Sequence, residues 1–119
     1  ENLYEAIATV DGLFIDPQSA VVITRRALAR DCEIAYEALS TFCAFLGTFA
    51  GNLALTFGAK GGVYIAGGIS PRILNFLAGS EFRRRFESKG RFRSYVETIP
   101  SYVIVHPAAA FLGLQSLLD

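Results

Sequence analysis

The chain has 119 residues and a mass of 12.9 kDa, enough for one domain and short of two. With 52% hydrophobic residues, 18% charged residues and a mean hydropathy of +0.38, it is too apolar to be intrinsically disordered. Eleven Lys plus Arg balance eleven Asp plus Glu, so net charge offers no argument for a polyanionic partner. Cys32 and Cys43 stand alone, with no second pair to make a zinc site or a disulfide framework, and a reduced, cytoplasmic interior is the natural reading. His106 is the single histidine and has no Gly-x-Ser-x-Gly partner motif. The absence of Met and of a signal pattern at Glu1 reads as a piece cut from a longer protein.

From the amino terminus, Glu1 to Val10 reads as a helix with Leu3, Ile7 and Val10 on its apolar side, stopped by Asp11-Gly12. A second helix is predicted over Val21 to Arg30, with Arg25, Arg26 and Arg30 outward. After Asp31, a candidate N-cap, a long helix runs to about Phe57.

The segment from Ala38 to Ala59 holds 22 residues without a charge, about 33 Å of helix, long enough to cross a bilayer. Thr41, Thr48 and Asn52 recur at seven and four, however, and gather the polar groups into one stripe that lipid could not satisfy. Clustered flanking cations are missing too. A buried helix in a protein with no membrane association is therefore expected. Gly47 and Gly51 on it would let another backbone come close.

Val63-Tyr64-Ile65-Ala66 is a short apolar run with β-branched and aromatic content, expected as a strand buried on both faces. Gly67-Gly68 closes it and Ser70-Pro71 opens a helix that stops at Gly79. Ser80 caps the next helix and Gly90 ends it, and a helical turn follows around Tyr95 to Ile99. Tyr102 to Val105 reads as a second buried strand, and Ala108 to Leu118 as a terminal helix. Two apolar strands separated by about 35 residues of helix make a parallel crossover unit, so the class is α/β, with a long buried helix and crossover helices. Two strands leave sheet edges uncovered, which predicts self-association of the isolated chain.

Six of the seven bases in the second half fall between Arg83 and Arg93: Arg83, Arg84, Arg85, Lys89, Arg91 and Arg93. They read either as a nucleic-acid or phosphate patch or as the wet face of a helix pinned by Phe82, Phe86 and Phe92. The aromatic spacing and the lack of a recognised binding motif favour the wet face.

The chemistry-bearing element is Gly67-Gly68. A strand that ends in two glycines and feeds a helix leaves amides free of Cβ atoms where α/β folds bind ligands, yet the spacing matches neither the dinucleotide fingerprint nor the P-loop.

Phe42-Cys43-Ala44-Phe45-Leu46-Gly47 through Gly51-Asn52-Leu53-Ala54-Leu55, with GGVYIAGGISPR at 61–72, FRRRFESKGRF at 82–92 and IPSYVIVHP at 99–107, resembles the carboxyl-terminal part of the bacterial glucokinase family. The resemblance covers nearly all of 1–119. It implies the back part of a ribonuclease-H-like domain of the actin-like, hexokinase-like ATPase fold, in a cytoplasmic enzyme of glycolysis that phosphorylates glucose with ATP and Mg²⁺. By that resemblance Gly67, Gly68 and Ile69 belong to the adenosine motif, and His106 is structural. No catalytic residue and no metal ligand is expected within the chain: the aspartate base, the sugar-binding residues and the phosphate loop would lie upstream, leaving this piece inactive alone. The partners implied are glucose and ATP, and a second copy in a homodimer. A sugar-responsive transcriptional regulator, or a kinase fused to one, is the alternative, and nucleic acid would enter only in that case. One departure is visible: where the family shows Gly-Leu-Leu-Gly after the histidine, this chain has Ala110-Phe111-Leu112-Gly113-Leu114.

Overall fold

The computed structural model describes residues 1–118. Seven α-helices and two strands follow in the order α1 (Asn2–Val10), α2 (Ala20–Ala29), α3 (Glu33–Phe57), β1 (Val63–Ile65), α4 (Leu74–Ala78), α5 (Phe82–Glu87), α6 (Arg93–Val96), β2 (Ser101–Val103) and α7 (Ala109–Ser116). Single 3₁₀ turns at Ser70–Ile73 and Gly90–Phe92 lead into α4 and α6. The strands pair in parallel with Val63 opposite Ser101, Tyr64 opposite Tyr102 and Ile65 opposite Val103. An α/β unit built around a long helix is therefore what the residues form.

α3 is the spine. It is long and apolar enough to cross a membrane, but α1, α2 and α5 pack along it. Its buried positions are mostly small: Ala35, Ala38, Cys43, Gly47, Ala50, Gly51 and Ala54, with Leu39 the exception. Small side chains bring neighbouring elements close. A Cβ on Gly47 would overlap the carbonyl of Phe82, and one on Gly51 would overlap that of Phe86 and stand 2.7 Å from Lys89 Cε. The glycine pair is the seat of α5, whose Phe86 is wholly buried and whose Phe82 is 6% exposed.

Lys89, just past α5, secures that seat. Its Nζ donates to the Thr48 carbonyl at 3.0 Å and to Asn52 Oδ1 at 2.7 Å, so part of the polar stripe on α3 is satisfied within the protein. Burial lowers the Lys89 pKa below its ordinary value of 10.5 despite those acceptors.

Several expectations are corrected. Asp31 does not cap α3; its carboxylate takes Arg26 Nε at 3.3 Å, and Cys32 occupies the cap position without a side-chain bond. α1 buries Tyr4 and Ala8, with Leu3 and Ile7 half-buried, while Val10 is 86% exposed because the chain turns away at Asp11-Gly12. The strands are not covered on both faces: Ile65 faces the core, whereas Tyr64 and Tyr102 stack on each other outside, ring centroids 4.9 Å apart. Ala66, Ile104 and Val105 fall outside the strands. Phe92 is exposed and pins nothing, and α7 has no buried residue. The chain forms a slab of 49 × 42 × 20 Å whose radius of gyration, 16.4 Å, exceeds the roughly 13.5 Å of a compact domain of this length.

Two outcomes follow from the α3–α5 seat. Gly47→Ala should lower stability by about 1–3 kcal/mol in urea unfolding, although Ala favours helix over Gly by roughly 1 kcal/mol, because the overlap is with backbone. Gly61→Ala, with open space around it, is the neutral control. For Lys89, the native pKa lies below the unfolded value. Between the two, the unfolded chain binds more protons, so this residue's contribution to stability rises with pH through that window and is constant below it. Melting curves of the wild type measured against Lys89→Met should therefore show the wild type gaining as pH approaches 10.5.

Candidate functional site

At the turn after β1, backbone, cleft and charge meet. Ile65 is the last strand residue, and its carbonyl accepts from Ile104 N at 2.8 Å, which anchors the strand end. Gly67 then takes φ of +127°, a conformation that side chains resist, and Ile69 returns to the helical region to start the Ser70–Ile73 turn with Pro71 in its first positions. Ser70 and Ile73 are buried beneath. The Ile69 carbonyl accepts from the amides of Arg72 and Ile73 at 3.0 and 3.3 Å. The amides of Gly67, Gly68 and Ile69 donate to no acceptor among the described residues, and Gly67 and Gly68 are exposed.

The two glycines differ in why they are glycine. Gly67 needs its φ. Gly68 has an ordinary backbone, and a Cβ there would meet nothing within 4 Å, so the fold itself places no demand on it. A residue that the fold leaves unconstrained beside bare amides suits the approach of something from outside.

Gly68 and Ile69 form one wall of a cleft of about 380 Å³; the other wall is the outer face of α2, with Val21, Thr24, Arg25 and Leu28. Gly67 frames the turn without lining the cleft. Arg72 closes the rim on the turn side. Val21 and Leu28 are 63% and 44% exposed, aliphatic surface left open on a helix that buries Ile23 and Ala27 on its other side. Thr24 Oγ1 donates to the Ala20 carbonyl at 2.8 Å and keeps its lone pairs available. Neither Arg25 nor Arg72 has a carboxylate partner among the described residues. The cleft thus has flat apolar walls, two free guanidiniums and unused amide donors, a combination suited to a planar organic ligand that carries negative charge.

Of the residues singled out from the sequence, Gly68 and Ile69 line the cleft and Gly67 does not. Sequence reasoning missed the opposite wall. Val21, Arg25 and Leu28, four and seven residues apart, lie on one face of α2, and an aliphatic pair flanking an arginine on an outward face was the available signal. Of the arginines assigned to the outer side of α2, only Arg25 reaches the cleft; Arg26 pairs with Asp31, and Arg30 lies over the Tyr36 ring at 5.1 Å. His106 Nδ1 accepts from the Ala108 amide at 3.0 Å, which shapes the approach to α7.

A strand–glycine–helix turn opening on such a cleft belongs to an α/β unit. Residues 1–119 match the family model described as Glucokinase, and the chain belongs to the glucokinase family. It is 54% identical over 112 residues to the glucokinase of Cronobacter sakazakii, a match covering 94% of this chain and 35% of the relative. With the glucokinase of Paramagnetospirillum magneticum it shares 49% over 120 residues, covering 98% and 36%. The crystal structure of a glucokinase from an Antarctic psychrotroph superposes with a TM-score of 0.87 at 36% identity, again covering 98% of this chain and 36% of the other. The chain therefore spans about a third of the length of these relatives. All three carry the name glucokinase, and none of them supports the regulator alternative.

Replacing each glycine separates the roles. Gly67→Ala should cost about 1–2 kcal/mol through its backbone angle, whereas Gly68→Ala should stay within about 0.5 kcal/mol of the wild type in the same urea titration.

Proposed function

We propose that this chain is the nucleotide-side portion of a kinase that transfers a phosphoryl group from ATP to glucose, giving glucose 6-phosphate. The observation that carries the reading is Gly68: exposed, unconstrained by the fold, flanked by unused amides and set against an apolar wall. Ile69, Val21 and Leu28 would sandwich the adenine ring, the turn backbone at Gly67 and Gly68 would lie along the ribose, and Arg25 and Arg72 would offset phosphate charge. ATP, when bound, supplies the phosphoryl group. The contribution of these residues is to bind and orient it, which is most of what phosphoryl transfer asks of a protein.

Among the described residues the cleft lining contains no carboxylate, so these residues offer Mg²⁺ no ligand there; the ion would be held by the nucleotide and by the rest of the kinase. The sugar site and the aspartate base belong to that remainder as well, and the piece alone is read as inactive. The parallel pair with α3 against β1 is read as the back of a ribonuclease-H-like domain of the actin-like ATPase fold. The proposed setting is the cytoplasm, in keeping with two unpaired thiols.

In the intact kinase, Gly68→Val should raise KM for ATP by about tenfold or more, equivalent to about 1.4 kcal/mol of lost binding, and leave KM for glucose within about twofold. An unchanged KM for ATP would overturn the assignment of this turn. Glucose-dependent ATP turnover by the 119-residue chain alone would overturn its reading as an incomplete part.

A further inference from the structure

A second concave site lies at the far end of α5, built from elements that take no part in the cleft beside Gly68. It has a volume of about 440 Å³ and is lined by Arg84, Ser88, Lys89, Gly90 and Arg93. Among the described residues its charged lining groups are all cations, with no carboxylate. Lys89 is held in place by Thr48 and Asn52, which take two of the three donors of its ammonium and leave one without an acceptor among the described residues. Arg84 meets Glu81 through Nε only, so its terminal nitrogens find no acceptor among the described residues. Arg93 is exposed, with no carboxylate partner among them.

The six bases of this segment do not act alike. Arg83 is consumed by the fold: its guanidinium donates to Glu87 Oε1 at 2.7 Å and to the carbonyls of Ile99 and Glu97 at 2.9 and 3.0 Å. Arg91 lies over the Phe92 ring at 5.0 Å, and neither it nor Arg85 lines the cleft. Three cations that converge on one hollow, not six spread along a track, match a compact anion better than a nucleic-acid strand, which needs successive phosphate contacts. Two guanidinium forks and one fixed ammonium are the donor set that phosphoryl oxygens take.

We propose that this hollow binds a small multivalent phosphoryl anion of the diphosphate class, separately from the nucleotide cleft. Such a ligand would meet three cationic side chains at the α3–α5 seat, one of which, Arg84, also pairs with Glu81 through Nε, and would be felt there through Lys89.

The probe is inorganic pyrophosphate, titrated calorimetrically into the intact kinase with the nucleotide site filled by saturating ADP, at roughly 0.15 M ionic strength. Saturable binding is expected, weakened about tenfold or more by the double variant R84Q/R93Q and less than about threefold by R85Q/R91Q, which removes the same charge from outside the hollow. Equal weakening by both variants would reduce the effect to unspecific attraction and overturn the site, as would the absence of saturable binding. An RNA oligomer that binds more tightly than pyrophosphate, and depends equally on Arg85 and Arg91, would overturn it in favour of a nucleic-acid surface.

Discussion

The contact between the α3 backbone at Gly47 and Gly51 and the carbonyls of Phe82 and Phe86 sets the position of everything after it. Two helices with ordinary side chains at their interface keep their axes 8–10 Å apart, whereas glycine removes the spacer and lets backbone meet backbone. The cost is roughly 1 kcal/mol of helix propensity at each glycine. Burial of Phe82 and Phe86 offsets it, each such side chain contributing about 1.5–3 kcal/mol when removed from water.

From that seat the geometry passes to the sheet. Arg83 leaves α5 and ties down the carbonyls of Glu97 and Ile99, the residues that lead into β2, while its guanidinium stacks 4.5 Å from the Phe86 ring centre. β2 fixes the register of β1, and the Ile104 amide holds the carbonyl of Ile65 where β1 ends. The Gly67-Gly68 turn is therefore placed by a chain of contacts that begins at the middle of α3. The same helix supports α2, whose outer face is the opposite wall of the cleft. One spine positions both walls, which is how a piece with two short strands can present a defined site.

Arginine has two uses here, and burial separates them. Arg83, one-third exposed at its side chain, spends its donors on main-chain carbonyls and works as a clamp. Arg25 and Arg72 beside the turn, and Arg93 at the start of α6, keep theirs free among the described residues at the rims of hollows. Exposed ion pairs such as Arg84 with Glu81 contribute little to stability, and the terminal nitrogens of Arg84 find no acceptor among the described residues. The even balance of the composition conceals this division.

Much of the architecture was legible in the residues themselves. Helical periodicity, the Asp11-Gly12 stop, the uncharged run of α3 from Ala38 onward and the strand–glycine–helix turn at 63–71 depend on local backbone preference, and local preference is written where it acts. The glycine pair on α3 announced a close approach, and the turn glycines announced bare backbone. What only the tertiary structure decided was which surfaces meet. Nothing near Lys89 in sequence points to Asn52, 37 residues away, or shows that Arg83 turns inward while Arg85 stays in water, or that α2 faces Gly68. The outward faces of Tyr64 and Tyr102 were misread for the same reason: an apolar alternation shows that a strand has two faces but not how many of them the chain itself covers. Such pairings belong to surfaces brought together across the chain, and their energies are set by burial and distance that no single stretch contains.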